Sequence, residues 1–238
     1  MEVLVLGASG KVGSLLTSKL FLNGISKIEG VSGQNCNLLF LRKKICNFTG
    51  LIINAVGQTN SSQVKTEMYE SNVSFVANLM PLLNPNKHKF WHISTVNVSL
   101  DVDQYSKFKA QAEQIIIDSL VDSNFDVAIL RSPQIWSHDW GVAQSRLISL
   151  ISQAVSKQEI KLLNPSTITN IICDKCFLRE LARIKFDKGE IKFIDFPAFT
   201  ASVQETISYF ANSSNNELKY GTEFLHLREI LNKLSIFQ

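Results

Sequence analysis

The start of the chain constrains the fold more than any other segment. Residues 3–6 form a short apolar run, and a loop with the spacing Gly7-x-x-Gly10-x-x-Gly13 follows it directly. After this loop, apolar side chains recur at helical spacing; they are Val12, Leu15, Leu16 and Leu20. The pattern predicts a buried strand, a tight turn and a helix, the unit from which α/β sheets are built.

The glycine spacing also indicates what the turn can bind. In such a loop the first glycine permits the turn, the second lets phosphate approach the backbone, and the third lets the helix pack closely on the strand. The N–H groups at a helix N-terminus suit a phosphate. We therefore expect the pyrophosphate of a dinucleotide at Gly7, Gly10 and Gly13, the alternative being an ordinary glycine turn.

Strand and helix patterns alternate as far as residue 130. Apolar runs predict strands, and apolar periodicity predicts helices, the last of them capped by Asp103. The strands are expected at residues 28–32, 51–54, 90–94 and 127–130, and the helices at 64–80, before Pro81, and 104–121. This alternation predicts an α/β fold with a Rossmann-like, doubly wound parallel sheet.

The pattern weakens after Pro133. Strands are expected at residues 171–172 and 191–194, and helices at 147–155, 203–210 and 225–234. We predict a dinucleotide-binding core over residues 1–135. Residues 136–238 would supply the remaining sheet elements and a small substrate-side lobe, the whole forming one structural unit.

Composition excludes several classes of protein. Hydrophobic residues make up 45% and charged residues 19% of the 238, which excludes a disordered chain. The net charge is +3, and the basic cluster Arg42-Lys43-Lys44 is predicted to be a solvated loop, not a nucleic-acid surface. No apolar run approaches the roughly 18 residues of a membrane helix, so no membrane contact is expected. The chain starts with a strand pattern and not with a signal segment, which predicts a cytoplasmic location.

Neither of two suggestive spacings predicts a metal site. Cys173-x-x-Cys176 has no second pair to complete a zinc site, so ordinary reduced thiols are expected. His88 and His92 are four residues apart but straddle the predicted start of a strand.

Tyr105 and Lys109 are candidates for acid/base chemistry. They are four residues apart in a predicted helix, which places them on one face. A nearby ammonium favours the phenolate and would lower the pKa of Tyr105, making it a general acid/base. The alternative is a tyrosine on the buried edge of the helix beside a solvated lysine.

Ser94 and Thr95 end the predicted strand at residues 90–94. Because ligands bind at the carboxyl edge of a parallel sheet, a hydroxyl here could bond a substrate carbonyl. The alternative is a helix-cap or turn residue.

In order along the chain, these signals resemble the extended short-chain dehydrogenase/reductase superfamily, the NAD-dependent epimerase/dehydratase family included. The resemblance covers most of the chain and is nearest in type to dTDP-4-dehydrorhamnose reductase. Its segments are Gly7-Ala8-Ser9-Gly10-Lys11-Val12-Gly13, Asn54-Ala55-Val56-Gly57, Glu70-Ser71-Asn72-Val73, Ser94-Thr95, Tyr105-Ser106-Lys107-Phe108-Lys109, Arg131-Ser132-Pro133 and Thr169-Asn170-Ile171-Ile172-Cys173-Asp174.

The resemblance implies a role for each matching residue. Tyr105 would pass a proton to or from the substrate oxygen, Lys109 would hold the nicotinamide ribose, and Thr95 would bond the reacting carbonyl. The cofactor would be bound by Tyr105 and Lys109, by the glycine loop, and by residues after later strands; these are Gly7, Ser9, Gly10, Lys11, Val12, Gly13, Ala55, Val56 and Pro133. A homodimer is common in the resembled family.

Three departures from the family modify these expectations. Ser32-Gly33-Gln34 stands where an acidic residue would bind a free ribose hydroxyl, which favours NADP over NAD. Only nine residues separate Thr95 from Tyr105, which puts a substrate-covering loop in doubt. The part after Pro133 is short, so the substrate lobe must be small. Substrate contacts would fall near Trp136, His138, Asp139 and Trp140, for which a packed surface loop is an equal alternative.

The sequence thus favours an NAD(P)-dependent reductase of a keto sugar, with a sugar nucleotide as the small-molecule substrate. An epimerase of the same family is the second possibility. A dehydratase is disfavoured, because Val96-Asn97 offers no acid/base residue after Thr95. A dinucleotide-sensing or scaffold protein without catalysis is the alternative from another class, since a fold alone implies no activity.

Overall fold

The computed structural model describes residues 1–18, 24–32, 38–59, 65–99, 103–120, 124–137, 166–185 and 189–213. The chain forms two compact units: one comprises Met1–Ser132 with Leu178–Phe196, and the other Pro133–Phe177 with Pro197–Gln238. The break after Ser132 lies close to the predicted boundary at residue 135, but residues 178–196 return to the first unit. That the two units act as one structural unit stays a prediction.

The first unit is built on a six-stranded parallel sheet. Its strands, numbered by their place in the whole chain, are β1 (Glu2–Leu6), β2 (Lys27–Val31), β3 (Gly50–Asn54), β4 (His88–Thr95), β5 (Val127–Ser132) and β8 (Ile191–Asp195). Their order in the sheet is β2-β1-β3-β4-β5-β8. The predicted Rossmann-like α/β fold is confirmed. Because the strand order reverses between β1 and β3, a ligand crevice is expected at their carboxyl ends.

Helices connect these strands. In chain order they are α1 (Lys11–Ser18), α2 (Leu38–Cys46), α3 (Lys65–Tyr69), α4 (Phe75–Leu79), α5 (Gln104–Asp118), α6 (Asp174–Ala182) and α7 (Val203–Ser213). A π-helical turn, Glu70–Ser74, joins α3 to α4, and 3₁₀ turns cover Met80–Leu82 and Val96–Ser99. The predicted helix over residues 64–80 is thus one helical segment with a π-helical turn, a feature that often marks a functional site.

The core explains why these strands have nearly continuous apolar sequences. Helices cover both faces of a doubly wound sheet, so both faces of its central strands are buried. Leu4, Ile52, Phe90 and Ile129 come from four adjacent strands and are fully buried in one cluster. The cluster fixes the strand ends, and with them the loops that carry the predicted site.

The prediction of a loop at Arg42-Lys43-Lys44 is wrong, because these residues lie on α2. Arg42 and Lys43 are exposed, and Lys44 forms an ion pair with Glu29 of β2. The helix escaped detection because its apolar residues do not keep to one face: Leu39 is 82% exposed.

The second unit contains a three-stranded sheet. Strand β7 (Ile168–Cys173) pairs in parallel with β6 (Gln134–Trp136) and antiparallel with β9 (Phe199–Ser202), after which α7 begins. The strand expected at 171–172 and the helix expected at 203–210 are confirmed, whereas β6 and β9 were not predicted. The helices expected at 147–155 and 225–234 lie outside the described residues. None of the helices within the described ranges is long and apolar enough to cross a membrane.

Candidate active site

The glycine loop joins β1 to α1 and is fixed by backbone hydrogen bonds. The N–H groups of Gly7 and Ala8 both donate to the Val31 carbonyl oxygen at the end of β2, at 2.8 and 3.0 Å. Gly10 N donates to Gly7 O at 3.0 Å, which closes the turn. Gly7 has a φ of +84°, a left-handed conformation that favours glycine. The sequence therefore folds here into the predicted strand, turn and helix.

The three glycines differ in what surrounds them. A Cβ on Gly13 would lie 2.0 Å from Gly7 O, and one on Gly7 would lie 2.9 Å from the backbone of Ala55 and Val56. A Cβ on Gly10 would meet only Gly7 O, at 3.3 Å, and Gly10 is exposed. Gly7 and Gly13 thus allow close packing, whereas Gly10 leaves the backbone open to an approaching ligand.

The predicted cofactor residues of the first unit gather at the crevice between β1 and β3. Ala55 and Val56, which follow β3, lie directly against Gly7. Ser9 and Lys11 are exposed beside Gly10, and Val12 follows in the first turn of α1. The first turn of a helix has N–H groups without acceptors inside the helix, so this loop fits a pyrophosphate.

A buried pair of side chains holds the loop after β3. Asn54 Nδ2 donates to His92 Nδ1 at 3.1 Å, and Asn54 Oδ1 accepts from Val56 N at 3.0 Å. Since Nδ1 of His92 is an acceptor, the proton of its neutral ring lies on Nε2, which has no hydrogen-bond partner among the described residues. Burial and the charge of Lys109 lower the pKa of His92 well below its ordinary value. Neither Asn54 nor His92 is among the predicted site residues.

The two buried imidazoles make stability depend on pH. Burial also lowers the pKa of His88, so both rings stay neutral in the folded chain where the unfolded chain takes up protons. Their stabilisation is complete above about pH 6.5 and falls as pH drops below it, by up to about 1.4 kcal/mol per pH unit for each ring. Urea unfolding between pH 7.5 and 5 measures this slope. We expect His92→Gln to have a smaller slope than the wild-type chain; equal slopes would contradict the assignment.

Helix α5 carries two charged residues on its buried face. Asp103 caps the helix as predicted, because its carboxylate accepts from Ser106 N at 2.7 Å. The buried residues of α5 follow helical spacing and are Ser106, Phe108, Lys109, Ala112, Glu113 and Ile116. Lys109 and Glu113 are therefore held inside the protein, where an unpaired charge would be costly.

Lys109 is anchored at the carboxyl end of β4. Its ammonium donates to Ile93 O at 2.9 Å, and the residue is only 3% exposed. It also lies 5.8 Å from the centre of the Tyr105 ring. The alternative of a solvated lysine is thereby excluded. Burial lowers the pKa of Lys109 to about 8, against the opposing effect of Glu113, so the ammonium is mostly protonated at pH 7.

A third element, the π-helical turn, meets Lys109 at Gly57. Asn72 lies in that turn and donates to Met68 O at 2.9 Å and to Gln58 O at 3.0 Å. Its Oδ1 is buried without a hydrogen-bond partner in the described chain. A Cβ on Gly57 would lie 2.6 Å from Asn72 Oδ1 and 3.1 Å from Lys109 Nζ. The absence of a side chain at Gly57 leaves room for two polar groups beside the crevice.

The prediction that Lys109 lowers the pKa of Tyr105 is contradicted. The pKa of Tyr105 is raised, first because the surrounding protein disfavours the phenolate and then because Asp103 is negatively charged. The helical spacing correctly placed the two residues on one face, but burial and the charge of Asp103 determine the direction of the pKa shift. Tyr105 is consequently protonated throughout the physiological range.

The two hydroxyl residues at the end of β4 have different partners. The buried Ser94 hydroxyl donates to Glu113 Oε1 at 2.5 Å and is occupied. Thr95 Oγ1 accepts from Asn97 N at 3.3 Å, which is the turn contact that the alternative interpretation predicts. That contact uses a lone pair and leaves the hydroxyl proton of Thr95 able to donate. Of the two, Thr95 is the better candidate for a substrate oxygen.

Other candidates fall elsewhere. Pro133 begins the second unit between β5 and β6, and Trp136 ends β6. His138, Asp139 and Trp140 lie outside the described residues, as do Gly33 and Gln34. Among the described side chains, no group of three or more His, Cys, Asp or Glu could hold a metal ion. Contrary to the prediction, His88 and His92 do not straddle the start of a strand, because β4 begins at His88; both rings bond to protein atoms.

No family model matches the sequence, and no curated protein is significantly similar to it. Solved structures do match. One is UDP-glucose 4-epimerase from Bifidobacterium longum in complex with NAD⁺ and UDP, with a TM-score of 0.74, 15% identity, and coverage of 91% of this chain and 84% of that one. The chain shares the fold of such enzymes.

Two further structures give the same result. The dTDP-glucose 4,6-dehydratase from Streptomyces venezuelae with bound NAD has a TM-score of 0.73 at 14% identity, covering 91% of this chain and 82% of the other. UDP-glucose 4-epimerase from Thermotoga maritima with UDP-glucose has a TM-score of 0.72 at 13% identity, covering 92% and 84%. All three are epimerases or dehydratases of nucleotide sugars. Their names support the resemblance at the level of fold and do not support the predicted preference for NADP.

Proposed function

We propose that this protein is an NAD(P)-dependent oxidoreductase that reduces a keto group of a nucleotide-linked sugar. The observation that carries the proposal is the position of Lys109. Its ammonium is buried, bonded to Ile93 O at the end of β4, and close to Gly57 after β3. Buried titratable groups with specific partners beside a cleft are typical of functional sites.

The first unit supplies the binding half of the site. The glycine loop would hold the pyrophosphate through the first-turn N–H groups of α1, with Gly10 leaving the backbone open. Ala55 and Val56, fixed by Asn54, would lie along the adenosine side, and Lys109 would bond the nicotinamide ribose. A bound NAD(P)H supplies the hydride. We place the nicotinamide near Pro133 on the resemblance alone.

The acid/base half of the site follows from protonation states. Tyr105 is protonated at neutral pH, so in the direction of reduction it can donate its phenolic proton to the carbonyl oxygen. Thr95 would donate a hydrogen bond to the same oxygen. With the hydride that NAD(P)H would supply to the carbonyl carbon, the Tyr105 proton would complete an alcohol. Tyr105 therefore starts in the protonated form that reduction needs.

The finer assignment is a reductase of the dTDP-4-dehydrorhamnose reductase type. The turn Val96–Ser99 carries no acidic side chain after Thr95, which disfavours a dehydratase. An epimerase is the second candidate, favoured by the names of two of the structural neighbours. The two differ in stoichiometry, since a reductase consumes NAD(P)H and an epimerase does not. The homodimer and the cytoplasmic location stay predictions.

Binding and turnover test the proposal. We expect fluorescence titrations to show saturable binding of NADH or NADPH. Keto-sugar nucleotides should then cause stoichiometric oxidation of the bound NADH or NADPH. The ratio of the two dissociation constants tests the predicted preference for NADP. Saturable binding without oxidation by any such substrate would exclude the reductase and leave the epimerase and the non-catalytic sensor as alternatives. Absence of binding by both nucleotides would overturn the dinucleotide site itself.

A further inference from the structure

Two side chains on the buried face of α5 form hydrogen bonds with successive residues of β4. Lys109 Nζ donates to Ile93 O at 2.9 Å, and one turn later Glu113 Oε1 accepts from the Ser94 hydroxyl at 2.5 Å. Tyr105 lies one turn before Lys109, and Thr95 lies one residue after Ser94. These two contacts therefore set the register of the helix on the strand. A shift of α5 would change the relation of Tyr105 to Thr95.

Glu113 has a second partner that explains why its charge can be buried. Arg131 of β5 forms a two-pronged ion pair with it, with Nη2 at 2.6 Å from Oε2 and Nε at 3.1 Å from Oε1. Two-pronged pairing of this kind fixes direction as well as charge. Arg131 is itself held by the Phe193 ring, 4.8 Å from its guanidinium carbon. Glu113 is thus locked between β4 and β5.

We propose that Glu113 is a positioning residue for the Tyr105–Lys109 pair: it fixes α5 on the ends of β4 and β5 and supplies a buried negative charge one helical turn from the Lys109 ammonium. The inference rests on the proposed function for its catalytic meaning. Its physical content, the contacts and the charge, does not require a bound cofactor or a known substrate.

The charged groups around Lys109 point the same way. Among the described residues, His92 on β4 is neutral because burial lowers its pKa, and Tyr105 is protonated. Glu113 is the group that raises the pKa of Lys109 against burial. Arg131 of β5 offsets part of that charge by pairing with the same carboxylate. Removing Glu113 should consequently lower the pKa of Lys109, and removing Arg131 should raise it.

The experiment measures the protonation of Lys109 directly. In protein labelled with [ε-¹³C]lysine, the carbon shift of Lys109 is followed against pH by NMR, the signal being assigned with Lys109→Arg. We expect Glu113→Gln to move the midpoint down from about 8 by roughly one pH unit. Asp118→Asn is the matched control, because Asp118 is an exposed acidic residue on the same helix. In this variant Lys109 should titrate with the same midpoint as in the wild-type chain.

Two further variants separate charge from packing. Ser94→Ala removes the contact between β4 and Glu113 but keeps the carboxylate, so the midpoint should stay near the wild-type value. Arg131→Gln removes the opposing positive charge and should raise the midpoint of the Lys109 titration. This variant also tests the inference if Glu113→Gln does not fold. An unchanged midpoint in both Glu113→Gln and Arg131→Gln, or an equal shift in Ser94→Ala and Glu113→Gln, would overturn the inference.

The outcome is independent of the proposed function. The titration needs neither nucleotide nor substrate, so a chain that binds no NAD(P)H can still show the shifts. Conversely, turnover with an unshifted Lys109 would keep the oxidoreductase and discard the role of Glu113. Where turnover is measured, the high-pH limb of kcat should move down in Glu113→Gln, which a purely structural role would not cause.

Discussion

Replacing Tyr105 by Phe is expected to reduce turnover about a thousandfold while NAD(P)H still binds saturably. The change removes one hydroxyl, which is the proton donor in the proposed reduction, and general acid catalysis contributes typically 10²- to 10⁴-fold. The ring remains, so its packing beside Lys109 is kept. Single-turnover oxidation of bound NADPH or NADH by a keto-sugar nucleotide measures the loss, and fluorescence titration measures binding.

A matched control is available on a neighbouring helix. Tyr69 ends α3, is 41% exposed, and contacts the Phe108 ring edge-on at 5.3 Å. Tyr69→Phe makes the same chemical change outside the proposed site, so it should leave turnover within about twofold of the wild-type rate, as surface substitutions usually have small effects. If Tyr105→Phe behaved like Tyr69→Phe, Tyr105 would not be the acid, and the reduction would need another proton donor.

Local patterns in the sequence were sufficient for the parts of the site that depend on a few neighbouring residues. The bond from Gly10 N to Gly7 O and the cap at Asp103 are contacts within one loop or one helical turn. The four-residue spacing of Tyr105 and Lys109 likewise required only the helix period. These predictions needed no knowledge of how distant segments pack.

The remaining features depend on contacts between distant residues. Glu113 bonds Ser94, 19 residues away, and Arg131, 18 residues away, so no local pattern indicates its role. The roles of Asn72 and His92 likewise follow from packing. The sign of the pKa shift at Tyr105 was wrong for the same reason, since the amount of burial is a property of the folded chain. Periodicity also could not find α2, whose apolar Leu39 faces solvent.

The largest effect on stability is expected from Gly13→Ala. In a helix interior this change normally stabilises by up to about 1 kcal/mol. Here the added Cβ would lie 2.0 Å from Gly7 O and 2.8 Å from Ala8 Cα, both backbone atoms that are fixed by the loop. Either α1 must move away from β1 or the loop must open. Overpacking of this kind typically lowers the free energy of unfolding by about 1–3 kcal/mol. Urea unfolding followed by circular dichroism measures the change, which should have the opposite sign to the usual one.

Gly10→Ala separates packing from ligand approach within the same loop. Its Cβ would meet only Gly7 O at 3.3 Å, and Gly10 does not have a positive φ, so the free energy of unfolding should change by less than about 1 kcal/mol. The methyl group would instead occupy the exposed side, where we place the pyrophosphate, and the affinity for NAD(P)H should fall at least about tenfold, or 1.4 kcal/mol. A stable variant with full affinity would remove Gly10 from the phosphate site. A Gly13→Ala chain as stable as the wild type would show that α1 can shift away from β1, and the close packing assigned to that glycine would be wrong.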